Sequence, residues 1–200
     1  MLSLKPELFG LVLAGGQSLR MGRDKGLLVY EQLSPFSQRV RVAQLMESCG
    51  LETYLSCRIE NEAVGDMKVI YDRVELQADS NRGPGVGILS AHLFKPEAAW
   101  LVMACDFPFA NKAAVEYLIQ QRQGEGRPTA HQHPDESPEP LFTIWEPETL
   151  AEFLRAFRAG YQSPRLTLEK ENVVLFKPTN PKILININSP LEAKDFGELQ

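Results

Sequence analysis

Phe9-Gly10-Leu11-Val12-Leu13 is a short continuous apolar run that passes directly into Ala14-Gly15-Gly16, and this junction constrains the fold more than any other part of the chain. A run of this kind, bounded by polar and glycine residues, is the pattern of a strand buried on both faces, and such strands belong to parallel sheets covered by helices. The small residues that follow let backbone N–H groups turn toward a ligand and approach it closely, as phosphate-cradling loops require. Arg20 and Arg23 then offer planar forks of donors, and Lys25 a compact point charge. Open α/β sheets bind their ligands beyond the carboxyl ends of the strands, so the stretch from Leu11 to Leu28 reads as a site for a polyanion such as a triphosphate. Taken alone, Gly15-Gly16 reads equally as an ordinary strand exit followed by solvated cations. The loop is neither a Gly-x-x-x-x-Gly-Lys-Ser/Thr phosphate loop nor a Gly-x-Gly-x-x-Gly dinucleotide turn, which weighs against kinase-type and dehydrogenase-type chemistry.

The 200 residues suffice to bury a sizeable core, and 44% apolar with 24% charged residues is the balance of a globular protein. The expectation is a single domain over residues 1–200. No apolar run approaches the roughly 18 residues a membrane helix needs. The opening residues MLSLKPEL lack the apolar core and cleavage site of a signal peptide. Cys49, Cys57 and Cys105 are odd in number and widely spaced, offering neither a disulfide framework nor a Cys-x-x-Cys metal site. A cytoplasmic protein is expected. The net charge of −5 argues against general nucleic-acid binding, which makes the basic loop after the first strand the more informative.

Along the chain, Ser34-Pro35 predicts a helix N-terminus, with Phe36, Val40, Ala43 and Met46 on one face and an end near Gly50. Thr53–Cys57 and Lys68–Tyr71 read as strands, and Asp72 stands where the second one ends. Gly83-Pro84 opens a helix, either as a ligand-facing turn or as a plain rigid one. Trp100–Cys105 is a second buried strand with Asp106 at its carboxyl end, and Asn111 is the better N-cap for the following helix. Thr129-Ala130 and Leu141–Trp145 pair as strands around the polar stretch HQHPDESPEP. His131 and His133 in that stretch read as members of a solvated loop and not as metal ligands, which normally need structural support. Pro147 opens a helix ending at Gly160, and Ser163-Pro164-Arg165 opens another with Arg165 in its first turn. Val173–Phe176 and Ile183–Ile187 read as the last strands, which sets Asn186 and Asn188 on one strand face. Ser189-Pro190-Leu191-Glu192 has the form of a capping box. The predicted fold class is α/β: one Rossmann-like three-layer domain with a mostly parallel central sheet.

The segment LAGGQSLRMGRDKGLL, beginning at Leu13, resembles the signature L-A-G-G-x-S-x-R-M-G-x-D-K of a group of nucleotidyltransferases, most closely the molybdenum cofactor guanylyltransferases. Every fixed position matches, through Ser18, Arg20, Met21, Gly22, Asp24 and Lys25. Cys105-Asp106-Phe107-Pro108 is similar to that family's Cys-Asp-x-Pro, and Asn186-x-Asn188-Ser-Pro to its Asn-x-Asn-Thr-Pro. The resemblance implies transfer of GMP from GTP to molybdopterin or the molybdenum cofactor, with pyrophosphate released. It implies that Leu13, Ala14, Gly15, Gly16, Lys25, Asp72, Gly83, Pro84 and Asp106 bind the nucleotide. Arg20 and Lys25 would take the developing charge on pyrophosphate, and Asp106 would bind Mg²⁺. Arg165, Asn186 and Asn188 are candidates for the acceptor, with a plain surface role the alternative for Arg165. Cofactor-insertion proteins and apo-molybdoenzymes are the implied protein partners.

Two departures stand out. Gly85-Val86 replaces the family's usual leucine and small residue, and Cys57-Arg58 stands where an asparagine is expected after the second strand. The second leaves open a related transferase that uses CTP or another nucleotide, although Ala14-Gly15-Gly16 leans toward the guanylyl branch. A nucleotide-binding module without turnover is the alternative from another class.

Overall fold

Strands that must be buried on both faces need helices above and below, and the chain supplies them in alternation. The computed structural model describes residues 5–14, 25–29, 34–58, 65–77 and 83–187. Its elements are β1 (Leu8–Leu13), α1 (Gln38–Glu47), β2 (Thr53–Cys57), β3 (Lys68–Tyr71), α2 (Pro84–Phe94), β4 (Ala99–Ala104), α3 (Lys112–Gln121), β5 (Thr129–Gln132), β6 (Pro138–Trp145), α4 (Pro147–Arg158), α5 (Pro164–Lys170) and β7 (Val174–Phe176). The seven strands form one sheet in the order β3-β2-β1-β4-β6-β5-β7. All run parallel except β6, which is antiparallel to both its neighbours. The expected three-layer, mostly parallel α/β architecture is the observed one.

Side-chain alternation along β1 divides the core in two. Val12 faces the layer built by Val42, Ala43 and Met46 of α1 and Val115 and Leu118 of α3. Phe9, Leu11 and Leu13 face the layer built by Ile88 and Leu89 of α2 and Leu150, Phe153 and Phe157 of α4. Trp100 and Trp145 are register partners on β4 and β6 and are both fully buried on that second side. Residues 5–7 are fastened at the amino end of β1. Arg122 donates from Nε and Nη2 to the two carboxylate oxygens of buried Glu146, at 2.6 and 2.9 Å. Its Nη2 also donates to the Pro6 carbonyl, and Lys5 Nζ donates to the Arg122 carbonyl.

Several element boundaries differ from the sequence expectations. Helix α1 begins at Gln38 with Ser37 in the N-cap position, three residues later than Ser34-Pro35 suggests. Ser34 instead accepts a hydrogen bond from the Phe36 N–H, and Phe36 is about half exposed. The segment read as a final strand, Ile183–Ile187, contains the end of a 3₁₀ turn, Pro181–Leu184, followed by irregular chain. Asn180 caps that turn and Pro181 opens it, a local start signal that overrides the alternation of apolar residues. Asn186 therefore does not lie on a strand, and Asn188 falls outside the described residues, as does the capping box at Ser189. The expected caps at Asn111 and Ser163 are present, accepting from the N–H groups of Ala114 and Leu166.

Gly87, in the first turn of α2, lets the helix lie close to the sheet. A Cβ on Gly87 would stand 2.4 Å from Ser56 Oγ and 3.0 Å from Leu13 Cδ2. Both neighbours sit at the carboxyl ends of β1 and β2, so helix and sheet meet there without room for a side chain. Helix propensity favours valine over glycine by only about half a kcal/mol. Crowding therefore decides, and Gly87→Val should lower stability by roughly 1–3 kcal/mol. Urea unfolding checks this, and an unchanged or higher midpoint would contradict the packing described.

Candidate active site

With six strands parallel, their carboxyl ends define one rim, and the strand order reverses between β1 and β4. Such a reversal is where open α/β sheets leave a crevice for ligands. Leu13 and Ala104 end their strands as direct register partners. Beyond them the Cys105 N–H donates to the Leu13 carbonyl at 3.4 Å, which carries the pairing to the edge and sets Ala14 beside the start of the Asp106 turn.

Asp106 is half buried, and the turn around it is held from several directions. The Phe107 ring is fully buried and packs 5.9 Å from the ring of Phe142. The Ile187 N–H donates to the Asp106 carbonyl at 3.2 Å, bringing the carboxyl-terminal segment and Asn186 to this corner. Arg41 of α1 donates from Nη2 to the Phe107 carbonyl at 2.7 Å and from Nη1 to the Ala110 carbonyl at 3.1 Å. Neither Arg41 nor its partner Gln38 carries a sequence signal for this role. Both contacts to the turn join residues more than sixty positions apart, and only the tertiary structure reveals them.

The β3 side of the rim is pinned as firmly. The Asp72 N–H donates to the Cys57 carbonyl at 2.9 Å, and the Arg73 N–H donates to the hydroxyl of fully buried Ser90 on α2. Gly83 is the N-cap of α2 and Pro84 its first residue, so the expected helix start is observed. Cys57 is fully buried in the α1-side core, which leaves half-buried Arg58 as the side chain presented at the end of β2.

Leu13, Ala14, Asp72, Gly83, Pro84, Asp106 and Asn186 thus share one edge. Lys25 opens the 3₁₀ turn Lys25–Leu27. Gly15, Gly16, Arg20 and Asn188 lie outside the described residues. Arg165 lies at the start of α5 against the β5–β6 hairpin, where its Nη2 reaches the Ser137 hydroxyl and stands 3.5 Å from Asp135. Its Nε stands 3.5 Å from Glu169.

The chemistry of the donors at the Asp106 corner fits a hard divalent cation. Asp106 supplies a carboxylate, and Asn186, which precedes the residue bonded to the Asp106 carbonyl, has a buried amide oxygen with no hydrogen-bond partner among the described residues. Oxygen donors of this type, in small number and completed by phosphates and water, are what Mg²⁺ prefers. Among the described residues no group of three or more His, Cys, Asp or Glu side chains gathers anywhere, this corner included.

Residues 10–173 match the family described as the MobA-like NTP transferase domain. The chain belongs to that family. It is a nucleotidyltransferase, and enzymes of this class generally use a divalent metal ion. The chain is 34% identical over 196 residues to a molybdenum cofactor biosynthesis bifunctional protein of Synechocystis, covering 96% of the chain but only 53% of that relative. It thus spans about half the length of this larger protein. It is 32% identical to the molybdenum cofactor guanylyltransferase of Pseudomonas aeruginosa, covering 95% of the chain and 94% of the relative. The crystal structure of molybdopterin-guanine dinucleotide biosynthesis protein A from Archaeoglobus fulgidus shares the fold. Its TM-score is 0.75 at 24% identity, over 95% of this chain and 97% of that one. No helix among the described residues is long and apolar enough to cross a membrane.

One expectation at this rim is overturned. His131 is not in a solvated loop: it lies on β5, fully buried, with the rings of Phe142 and Phe176 each 4.7 Å from its own. Neither ring nitrogen has a hydrogen-bond partner among the described residues. His133, in the tight turn beyond, is bonded through Nε2 to Glu139 at 2.8 Å, and Glu139 also accepts from the Leu141 N–H. Burial, aided by the nearby His133, pushes the His131 imidazole down to about 4. The unfolded chain, where this histidine titrates near its ordinary value of about 6.5, then binds the extra proton first as pH falls. Stability is fully present above about pH 6.5 and declines toward pH 4, by as much as about 3 kcal/mol from this group. Chemical denaturation of the wild type and of His131→Leu at pH 5 and 7.5 should show a smaller pH dependence in the variant. Equal dependence would contradict this role for His131.

Proposed function

We propose that the chain acts as one nucleotidyltransferase domain that moves GMP from GTP onto the phosphate of molybdopterin or its molybdenum-loaded form. A phosphate oxygen of the acceptor attacks the α-phosphorus of GTP, the bond from that phosphorus to the bridging oxygen breaks, and pyrophosphate leaves with the electron pair. The observation that carries this reading is the convergence of Ala14, Asp72, the α2 start and Asp106 on one rim at the strand-order reversal. The names of the relatives support the choice of base and acceptor.

Transfer of this kind asks chiefly for positioning and for positive charge where anions crowd. The segment from Leu13 to Gly16 would offer backbone N–H groups to the nucleotide, with Asp72 and Gly83-Pro84 walling its other side. Arg20 and Lys25 would neutralise the leaving pyrophosphate. Asp106 would hold Mg²⁺, whose role when bound is to screen the reacting phosphates and polarise them. Asn186 and Asn188 are proposed for the acceptor end of the cleft. Arg165 is proposed for the acceptor phosphate. Its present ion pairs are exposed, and such pairs contribute only about 0–1 kcal/mol, so an incoming phosphate can replace them.

Burial of Cys57 makes Arg58 the side chain to consider for base selection at the end of β2. Calorimetric titration of GTP, CTP, ATP and UTP in the presence of Mg²⁺ tests the base. GTP should bind best, and a clear preference for CTP would overturn the guanylyl assignment. Asp106→Asn and Lys25→Ala should each lower pyrophosphate release by roughly 100-fold or more, with unchanged thermal unfolding. Near-normal turnover in either would remove that residue from the mechanism.

A further inference from the structure

We propose that Arg41 is a positioning residue that fixes the Asp106 turn relative to the segment carrying Lys25. This rests on the nucleotidyltransferase reading and adds to it a link between the two charges that the reading needs. Starting from the Lys25 side, the backbone N–H of Gln38 donates to the Leu28 carbonyl at 2.8 Å, which attaches the start of α1 to the segment that begins with the Lys25–Leu27 turn. The side-chain oxygen of Gln38 accepts from Arg41 Nε at 3.0 Å. Arg41 then spends Nη1 and Nη2 on the carbonyls of Ala110 and Phe107. Four hydrogen bonds, the last two forking from one guanidinium, thus join Leu28 to the two residues that bracket the turn behind Asp106.

The residue types suit the task. A guanidinium is planar and always charged, with donors in a fixed fork, so it holds two carbonyls and one amide oxygen at set angles. An ammonium at the same place also has three donors but imposes no plane and no fixed fork. Arg41 Nε–H can only donate, which fixes the orientation of the Gln38 amide. Gln38 is 1% exposed, and its Nε2 has no acceptor among the described residues. Keeping such a donor buried is costly, and the described geometry gives the side chain one use, to orient Arg41.

The tests use the full chain with Arg41→Lys and Arg41→Gln, checked for native circular dichroism and thermal unfolding. Amide hydrogen exchange without ligand reads the clamp itself. Exchange at Ala110, whose N–H donates to the Phe107 carbonyl, and at Ile187, whose N–H donates to the Asp106 carbonyl, should accelerate about tenfold or more in Arg41→Gln and less in Arg41→Lys. Amides of β2 and β3 should be unchanged. Mn²⁺ binding followed by electron paramagnetic resonance reads the consequence. The wild type should bind Mn²⁺ in a manner abolished by Asp106→Asn, and Arg41→Gln should weaken that binding about tenfold. A uniform acceleration of exchange across the sheet, or unchanged exchange in the turn, would overturn the proposal. If Mn²⁺ binding by the wild type is indifferent to Asp106→Asn, the metal role of Asp106 fails instead, while hydrogen exchange still decides the role of Arg41.

Discussion

The parallel pairing of β1 with β4 is the constraint on which the rest of this molecule depends. It runs without a break from Leu8 opposite Ala99 to Leu13 opposite Ala104, and both strands are almost wholly buried. A pairing shifted by one residue would turn Val12 and Leu11 to the wrong layers, since alternate side chains face opposite sides of a sheet. The same register sets the loop that leaves β1 level with the turn that leaves β4. Core packing and site geometry are therefore settled by one set of hydrogen bonds.

Around that axis the halves of the sheet differ in kind. β3-β2-β1-β4 is built from parallel strands, with α1 between β1 and β2 and α2 between β3 and β4, and its rim carries the residues proposed for the nucleotide. β6-β5-β7 contains the reversed strand, and its rim carries the hairpin with Arg165 against it. Helix α2 reaches the first half closely because Gly87 leaves space for Ser56 and Leu13. Close approach of a helix start to a rim is useful where anions bind, because its first N–H groups have no partners within the helix.

Much of this was legible from the residues alone. The runs at Phe9–Leu13 and Trp100–Cys105 announced doubly buried strands, and the caps at Asn111 and Ser163 placed their helices, because these signals are local. What escaped was decided at a distance. His131 sits among polar letters, yet Phe142 and Phe176 close over it from two neighbouring strands. Glu139 reads as solvated in the sequence but is occupied by His133 and by the Leu141 N–H. The Ile183–Ile187 alternation resembled a strand until the Asn180 cap and Pro181 diverted the chain. Of the candidate site, the signature segment and Asp106 were recognisable as motifs. The contribution of Arg41 was not, since an arginine on an amphipathic helix carries no mark of where its fork will land.

The reversal of β6 has a consequence for how such a protein can diversify. Because β6 runs against its neighbours, its connection to β5 is a tight turn through 133–137 at the same rim as the strand ends, instead of a helix across a face. Lengthening or recolouring that turn changes the second half of the rim while leaving every pairing of β1, β2, β3 and β4 in place. If Arg165 meets the acceptor as proposed, a lineage can explore new acceptors by editing one hairpin while the strands proposed to carry the nucleotide are inherited unaltered.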